Sequence, residues 1–123
     1  MSGQLVLCAD DDEDILSLVA LRLKRAGYDV ATAVDGDEAV RVAQERRPAV
    51  AVLDVMMPKR SGYEVLAALR ADDALRETKV ILLSARVQES DVARGLDAGA
   101  DAYLPKPFKA QDLVAKVEEL LAT

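Results

Sequence analysis

Five side chains of this 123-residue sequence have types and positions suited to one reactive centre: Asp10 and Asp11, then Asp54, Ser84 and Lys106. Each stands at the end of a short apolar run: Leu5–Ala9, 49–53, 80–83, and Tyr103-Leu104 before Pro105. Three carboxylates and a hydroxyl offer hard oxygen donors, and the lysine offers a point cation. The chain has no histidine, so the set suits a hard divalent cation and a phosphoryl group. Acids clustered without a cation repel one another and raise at least one pKa. Asp54 directly follows apolar residues, where burying an unpaired carboxylate is costly. A carboxylate so placed can act as a nucleophile towards phosphorus and form an acyl phosphate. A metal and a lysine would then neutralise the added charge. Lys106 lies between Pro105 and Pro107, which direct its backbone, and its ammonium serves as a compact charge. Ser84 can donate one hydrogen bond to the same group.

Singly, these residues have plainer readings. Acids at 10–14 also suit the N-terminus of a helix, a reading that fits Asp12, Glu13 and Asp14 better than Asp10 and Asp11. Ser84 alone is a strand-end turn residue, and Lys106 alone is a surface lysine. Their joint placement argues for a site, provided that the apolar runs are parallel strands of one sheet. The carboxyl edge of such a sheet is where ligands bind.

The rest of the pattern supplies that sheet. Leu5–Ala9 reads as a strand, and 14–26 as a helix with Ile15, Leu18, Val19 and Arg22 at helical spacing, ended by Gly27. A strand over 28–33 follows. Asp35 with Glu38 resembles a capping box that opens a helix through Arg46, with Ala39, Val40, Val42 and Ala43 on its apolar face and Pro48 as its stop. The run 49–53 is continuously apolar, as in a parallel strand covered on both faces. A loop over 55–62 leads to a helix at 63–71 with Val65, Leu66 and Leu69 inward. A strand at 80–83, a helix at 89–98 ended by Gly99, a strand at 102–104 and a helix at 110–122 complete the chain. The last helix carries Leu113, Val114, Val117, Leu120 and Leu121. This βα alternation predicts an α/β, doubly wound (βα)5 flavodoxin-like fold with right-handed crossovers. The predicted sheet has five parallel strands in the order 2-1-3-4-5, which makes the strands ending at Asp10 and Asp54 neighbours.

Composition narrows the function. Apolar residues make up 51%, enough for one core, and 1–123 reads as a single domain with no output domain after the last helix. The apolar runs fall far short of the roughly 20 residues a membrane helix needs, and no basic region followed by an apolar one marks a secretory signal. The single cysteine, Cys8, permits no internal disulfide and fits a cytoplasmic location. A net charge of −6 and a pI near 4.6 argue against a nucleic-acid surface.

Five segments resemble, in order and spacing, the receiver domain of two-component response regulators. They are Asp10-Asp11-Asp12-Glu13-Asp14 with its preceding strand, Leu53-Asp54-Val55-Met56-Met57-Pro58, Ser61-Gly62-Tyr63-Glu64-Val65, Leu82-Leu83-Ser84-Ala85, and 99–108 with Tyr103-Leu104-Pro105-Lys106-Pro107-Phe108. The resemblance covers essentially the whole chain. It implies that Asp54 is the phosphoacceptor, supplied by a sensor histidine kinase or phosphotransfer protein. Asp10 and Asp11 would hold Mg²⁺ with Asp54 and the backbone carbonyl of Met56. Lys106 would bridge to the phosphoryl group, Ser84 would move to bond it, and Tyr103 would turn inward. The Lys106-Pro107 peptide would be cis, a form tolerable only before proline. Alone, Tyr103 reads as half-buried packing and Met57 as core filler.

Neither Met56 nor Arg86, two residues after Ser84, is an acid or amide able to orient an attacking water. Slow to moderate autodephosphorylation is therefore expected, and no catalysis beyond the domain's own phosphorylation and dephosphorylation. Without histidine, the phosphoryl donor lies on another protein or domain. The resemblance places the output on the helix 4–strand 5–helix 5 face, which carries Arg94, Asp97, Asp101, Lys109 and Lys116 and would bind a downstream protein or a second copy. No direct contact with nucleic acid or membrane is expected. Three other readings compete. A phosphatase would use Asp10 and Asp12 as a DxD pair, but the loops are too short to form a cap. An FMN protein would need a Ser/Thr/Gly-rich phosphate loop where the acids stand. A receiver working without phosphorylation would not need all five site residues.

Overall fold

Residues 3–85 and 89–122 are described by a computed structural model, with the backbone alone for 89–92. Ten elements alternate: β1 (Leu5–Ala9), α1 (Glu13–Arg25), β2 (Asp29–Ala33), α2 (Gly36–Arg46), β3 (Val50–Asp54), α3 (Gly62–Ala71), β4 (Lys79–Ser84), α4 (Glu89–Asp97), β5 (Ala102–Pro105) and α5 (Ala110–Leu121). The strands pair in parallel, as the alternation predicts, and in the expected order β2-β1-β3-β4-β5. Element ends lie within about a residue of those expected.

Successive side chains of a strand point to opposite faces, and both faces here are covered. Val6, Cys8, Val50, Val52, Ile81 and Leu83 pack with α1 and α5 residues such as Leu23, Leu113 and Val117. Leu7, Ala9, Ala51, Leu53, Val80 and Leu82 pack with Ala39, Val40, Leu66 and Leu69 of α2 and α3. That is why β1, β3 and β4 read as unbroken apolar runs. Each fully buried leucine contributes about 1.5–3 kcal/mol.

Capping sets where the helices start. The Asp12 carboxylate accepts from the backbone N–H of Asp14 and Ile15 at 3.0 and 3.2 Å, so this acid caps α1. Asp35 caps α2 by accepting from Glu38 N–H at 2.8 Å. The return bond of the expected capping box falls one residue outside it, because the Glu38 carboxylate accepts from Val34 N–H at 2.8 Å. A complete box closes α3, from Ser61 and Glu64. Gly27, at φ 101°, takes the left-handed conformation that ends α1. The buried stripe of α1 is Leu16, Val19 and Leu23, while Leu18, expected on the apolar face, is 52% exposed.

The amino-terminal edge of β4 and β5 is clamped by Arg70 of α3. Its guanidinium donates to Gly99 O from Nε and Nη2 at 3.0 and 2.8 Å. It also donates to Thr78 O at 2.7 Å and Arg76 O at 3.1 Å, and pairs with Asp101 at 3.1 Å. The same Asp101 oxygen accepts from Val80 N–H at 2.8 Å. Asp101, expected among the charges of the output face, is thus engaged inside the domain. Arg94 of α4 lies over the Tyr63 ring, 4.5 Å from its centroid.

Candidate functional site

β1 and β3 are adjacent, with Ala9 in register with Leu53, so the residues that follow them emerge side by side. Asp10 N–H donates to Ala33 O at 3.1 Å, which extends the sheet by one residue and fixes where the side chain leaves. Asp10 is 1% exposed. Its Oδ1 accepts from Asp12 N–H at 3.0 Å and closes the turn into α1. Its Oδ2 pairs with the Lys106 ammonium at 2.8 Å. Asp54 ends β3 and is 4% exposed. Its Oδ1 accepts from Met56 N–H at 3.3 Å, and its Oδ2 lies 3.4 Å from Lys106 Nζ.

Ser84 ends β4 in register with Pro105 and is buried. Its carbonyl accepts from Lys106 N–H at 2.8 Å, so one backbone bond fixes Ser84 and the start of the lysine together. The Lys106-Pro107 peptide is cis, as the resemblance implies. Asp11 is exposed at the mouth, and one carboxylate oxygen from each of Asp10, Asp11 and Asp54 lies within 4.8 Å of the others. All five residues singled out in the sequence therefore meet at the carboxyl edge.

The remaining candidates that the structure describes lie around this pocket. Met56 is 71% exposed beside Asp54, and Met57 is buried in the core. Tyr103 stands in register with Leu82 and is half-buried against the α2–α3 side of the core. Its ring lies against Gly95 of α4: a Cβ on that glycine would fall 3.1 and 3.3 Å from two ring carbons. Arg86 lies outside the described residues. A groove of about 310 Å³ borders the site, lined by Ile15, Leu18, Val19, Pro107 and Phe108. The apolar residues of α1 off its buried stripe were the sequence signal for it.

Charge in the pocket is unbalanced. Burial, and next the charge of Asp10, push the Asp54 carboxyl up to about 6, against the opposing pull of Lys106 and Met56 N–H. For Lys106 burial acts to lower the pKa, but the hydrogen bond and charges of Asp10 and Asp54 outweigh it and hold the ammonium above its usual value. Among the described residues one ammonium thus serves two buried carboxylates, with Asp11 adding a third at the rim. The donor set is all oxygen, and three carboxylate oxygens converge. These are the features a hard divalent cation requires. Because Asp12 spends its carboxylate on the α1 amides, the DxD pair of the phosphatase reading is not assembled.

A doubly wound parallel sheet with an acid-and-lysine pocket at its carboxyl edge places the chain among small α/β domains that bind ligands where the strand order reverses. The sequence profile of the response regulator receiver domain matches residues 6–118. The transcriptional regulatory protein PrrA of Mycobacterium tuberculosis is 50% identical over 116 residues, covering 94% of this chain and 49% of PrrA. The BeF3-activated receiver domain of DrrB, a Thermotoga maritima protein, is 36% identical with a TM-score of 0.88 over the whole of both chains. The receiver domain of the Pseudomonas aeruginosa sensor histidine kinase PA1611, solved with magnesium coordinated in its active-site cleft, is 30% identical with a TM-score of 0.89, covering 99% of this chain and 100% of that one. The chain belongs to the response regulator receiver domain family, signalling domains of two-component systems. It spans about half the length of the curated relatives it matches. Among the described residues no helix is long and apolar enough to cross a membrane.

Proposed function

We propose that Asp54 accepts a phosphoryl group from a sensor histidine kinase or phosphotransfer protein. The observation that carries this reading is the pair of buried acids, Asp10 and Asp54, sharing one lysine at 2.8 and 3.4 Å. That arrangement leaves negative charge to be matched by a cation. Asp10, Asp11, Asp54 and the Met56 carbonyl would hold Mg²⁺. Bound there, the ion would neutralise charge on the oxygens of the transferring group. The PA1611 receiver with magnesium in its cleft and the BeF3-activated DrrB receiver support this assignment by similarity.

In the transfer, an Asp54 oxygen forms the new bond to phosphorus as the donor's phosphorus–nitrogen bond breaks, and the donor imidazole keeps the electron pair. Lys106 is already poised between Asp10 and Asp54, so its ammonium needs only to swing to the incoming oxygens. The Ser84 hydroxyl donates to the same group. The modification adds about −1.5 to −2 charges. Tyr103 would follow Ser84 inward and carry the change to α4, whose Gly95 its ring touches. The α4–β5–α5 face would then bind a downstream protein or a second copy. Relatives named as transcriptional regulators make transcription the favoured output of the system. Without an acid or amide at Met56 or Arg86 to position water, the acyl phosphate would be lost slowly to moderately.

Beryllofluoride titration in the presence of Mg²⁺, followed by amide NMR, tests the reading. Saturable shifts at Asp54, Ser84 and Tyr103, absent in Asp54→Asn, are the expected result. An unchanged spectrum of the wild type would refute it.

A further inference from the structure

The loop from Val55 to Ser61 carries Met56 and flanks the acceptor, and its position is set by contacts at both ends and at its far turn. At its base, Gly62 N–H donates to Val55 O at 3.0 Å. A Cβ on Gly62 would fall 2.6 Å from the carbonyl oxygen of Asp54 itself. At its far turn the loop rests on the start of α2. Gly36 N–H donates to Pro58 O at 3.1 Å, and the same carbonyl accepts from Arg60 N–H at 2.8 Å. Asp37 pairs with Arg60 at 3.0 Å, and Asp35 with Lys59 at 3.6 Å. Lys59, held between these contacts, has φ 70°, a conformation a side chain adopts only when its surroundings impose it.

The decisive contact is steric. An ideal Cβ on Gly36 would lie 2.1 Å from Arg60 O and 2.4 Å from Arg60 Cβ. Nothing in the helix itself asks for glycine there, since alanine is the better helix former. The requirement comes from the loop alone. The ion pairs are exposed and so weak; the backbone contact bears the geometry. An alanine would force the turn away by roughly 1 Å, because close-packed interiors yield little. That turn is only two residues from Met56.

We propose that Gly36 is a positioning residue for the acceptor loop: the N-terminus of α2 brackets the Pro58–Arg60 turn and thereby sets the Met56 carbonyl beside Asp54. The proposal rests on the reading that this carbonyl and the three acids hold Mg²⁺. Its consequence is that α2, remote from the pocket in sequence, governs the affinity of the pocket for the cation.

The test is Mg²⁺ titration of the full chain by calorimetry, joined to amide NMR of the metal-free protein. Gly36→Ala is expected to raise the Mg²⁺ dissociation constant at least ten-fold and to shift the Val55–Met57 amides before any metal is added. Leu23→Ala, which destabilises the opposite face of the sheet without touching the loop, is expected to leave both unchanged. Should Gly36→Ala not fold, Asp37→Asn, Arg60→Gln and their double variant form a second test. Each single change is expected to weaken Mg²⁺ by about two-fold, with the double no weaker than either. Wild-type affinity in a folded Gly36→Ala, or fully additive effects in the Asp37 and Arg60 variants, would overturn the proposal alone. A wild type that binds no Mg²⁺ would overturn the metal reading on which it stands.

Discussion

Replacing Asp54 with asparagine should stabilise the metal-free domain, and the size and pH dependence of the gain follow from the pocket. Burial and Asp10 raise the Asp54 carboxyl from 3.8 to about 6, a shift of about two units, or ~3 kcal/mol at most. Asp11 at an open rim admits solvent, so the expected gain at pH 7.5 is about 1–3 kcal/mol. Below pH 3.8 the carboxyl is protonated whether the chain is folded or not, and asparagine gains nothing. Between 3.8 and about 6 the folded protein keeps a proton that the unfolded chain has lost. Stability from this group therefore falls as pH rises through that window and is flat above it. The advantage of asparagine should be about half complete at pH 5 and full at pH 7.5. Asp35, whose carboxyl is lowered chiefly by the Glu38 N–H, tilts the profile the other way, but it is common to both proteins and cancels in the difference. Urea unfolding followed by circular dichroism at several pH values, with chelator present, gives that difference directly. Mg²⁺ at 100 times its dissociation constant should add about 2.7 kcal/mol to the wild type and much less to Asp54→Asn, narrowing or reversing the order. An asparagine variant no more stable than wild type at pH 7.5, or a gain that ignores pH, would refute the charge imbalance described for the pocket.

Two further substitutions probe the supports of the site. Lys106→Met leaves Asp10 and Asp54 facing each other without a cation and should cost about 2–4 kcal/mol at pH 7.5, less at pH 5 where Asp54 is protonated; urea unfolding at both pH values checks this. Combined with Asp54→Asn, the loss should shrink, because the two changes share one interaction. Arg70→Met strips donors from Gly99, Thr78 and Arg76 carbonyls and from Asp101, with an expected loss of about 2–4 kcal/mol. Arg70→Lys should recover only part of it in the same unfolding assay, since an ammonium lacks the planar fork.

What could be read before the structure was the part that depends on local pattern. The continuous run ending in Asp54 announces a strand covered on both faces, and the glycines at 27 and 99 announce helix ends. Once the strands are parallel and ordered, strand-end residues have to meet, so the convergence of the five candidate residues was legible from position alone. The phase of α1 was not. Ile15, Leu16, Leu18, Val19, Leu21 and Leu23 supply more apolar residues than one stripe holds, and only packing against β1 and α5 selects Leu16, Val19 and Leu23. Asp101 looked like surface charge because its partner, Arg70, is 31 residues earlier. Gly36 carried no signal in the sequence, since the backbone that excludes its Cβ comes from Arg60. Such long-range steric facts leave no trace in spacing or periodicity.

The proposed role of Asp54 is to receive a phosphoryl group in a cation-dependent reaction. Incubation with acetyl phosphate, followed by intact-mass and peptide mass spectrometry, tests it most directly. The expected result is one phosphoryl adduct, located on Asp54, that appears with Mg²⁺ and is absent with chelator or in Asp54→Asn. A folded wild-type protein that gains no adduct with Mg²⁺ present, or gains it equally in Asp54→Asn, would contradict it.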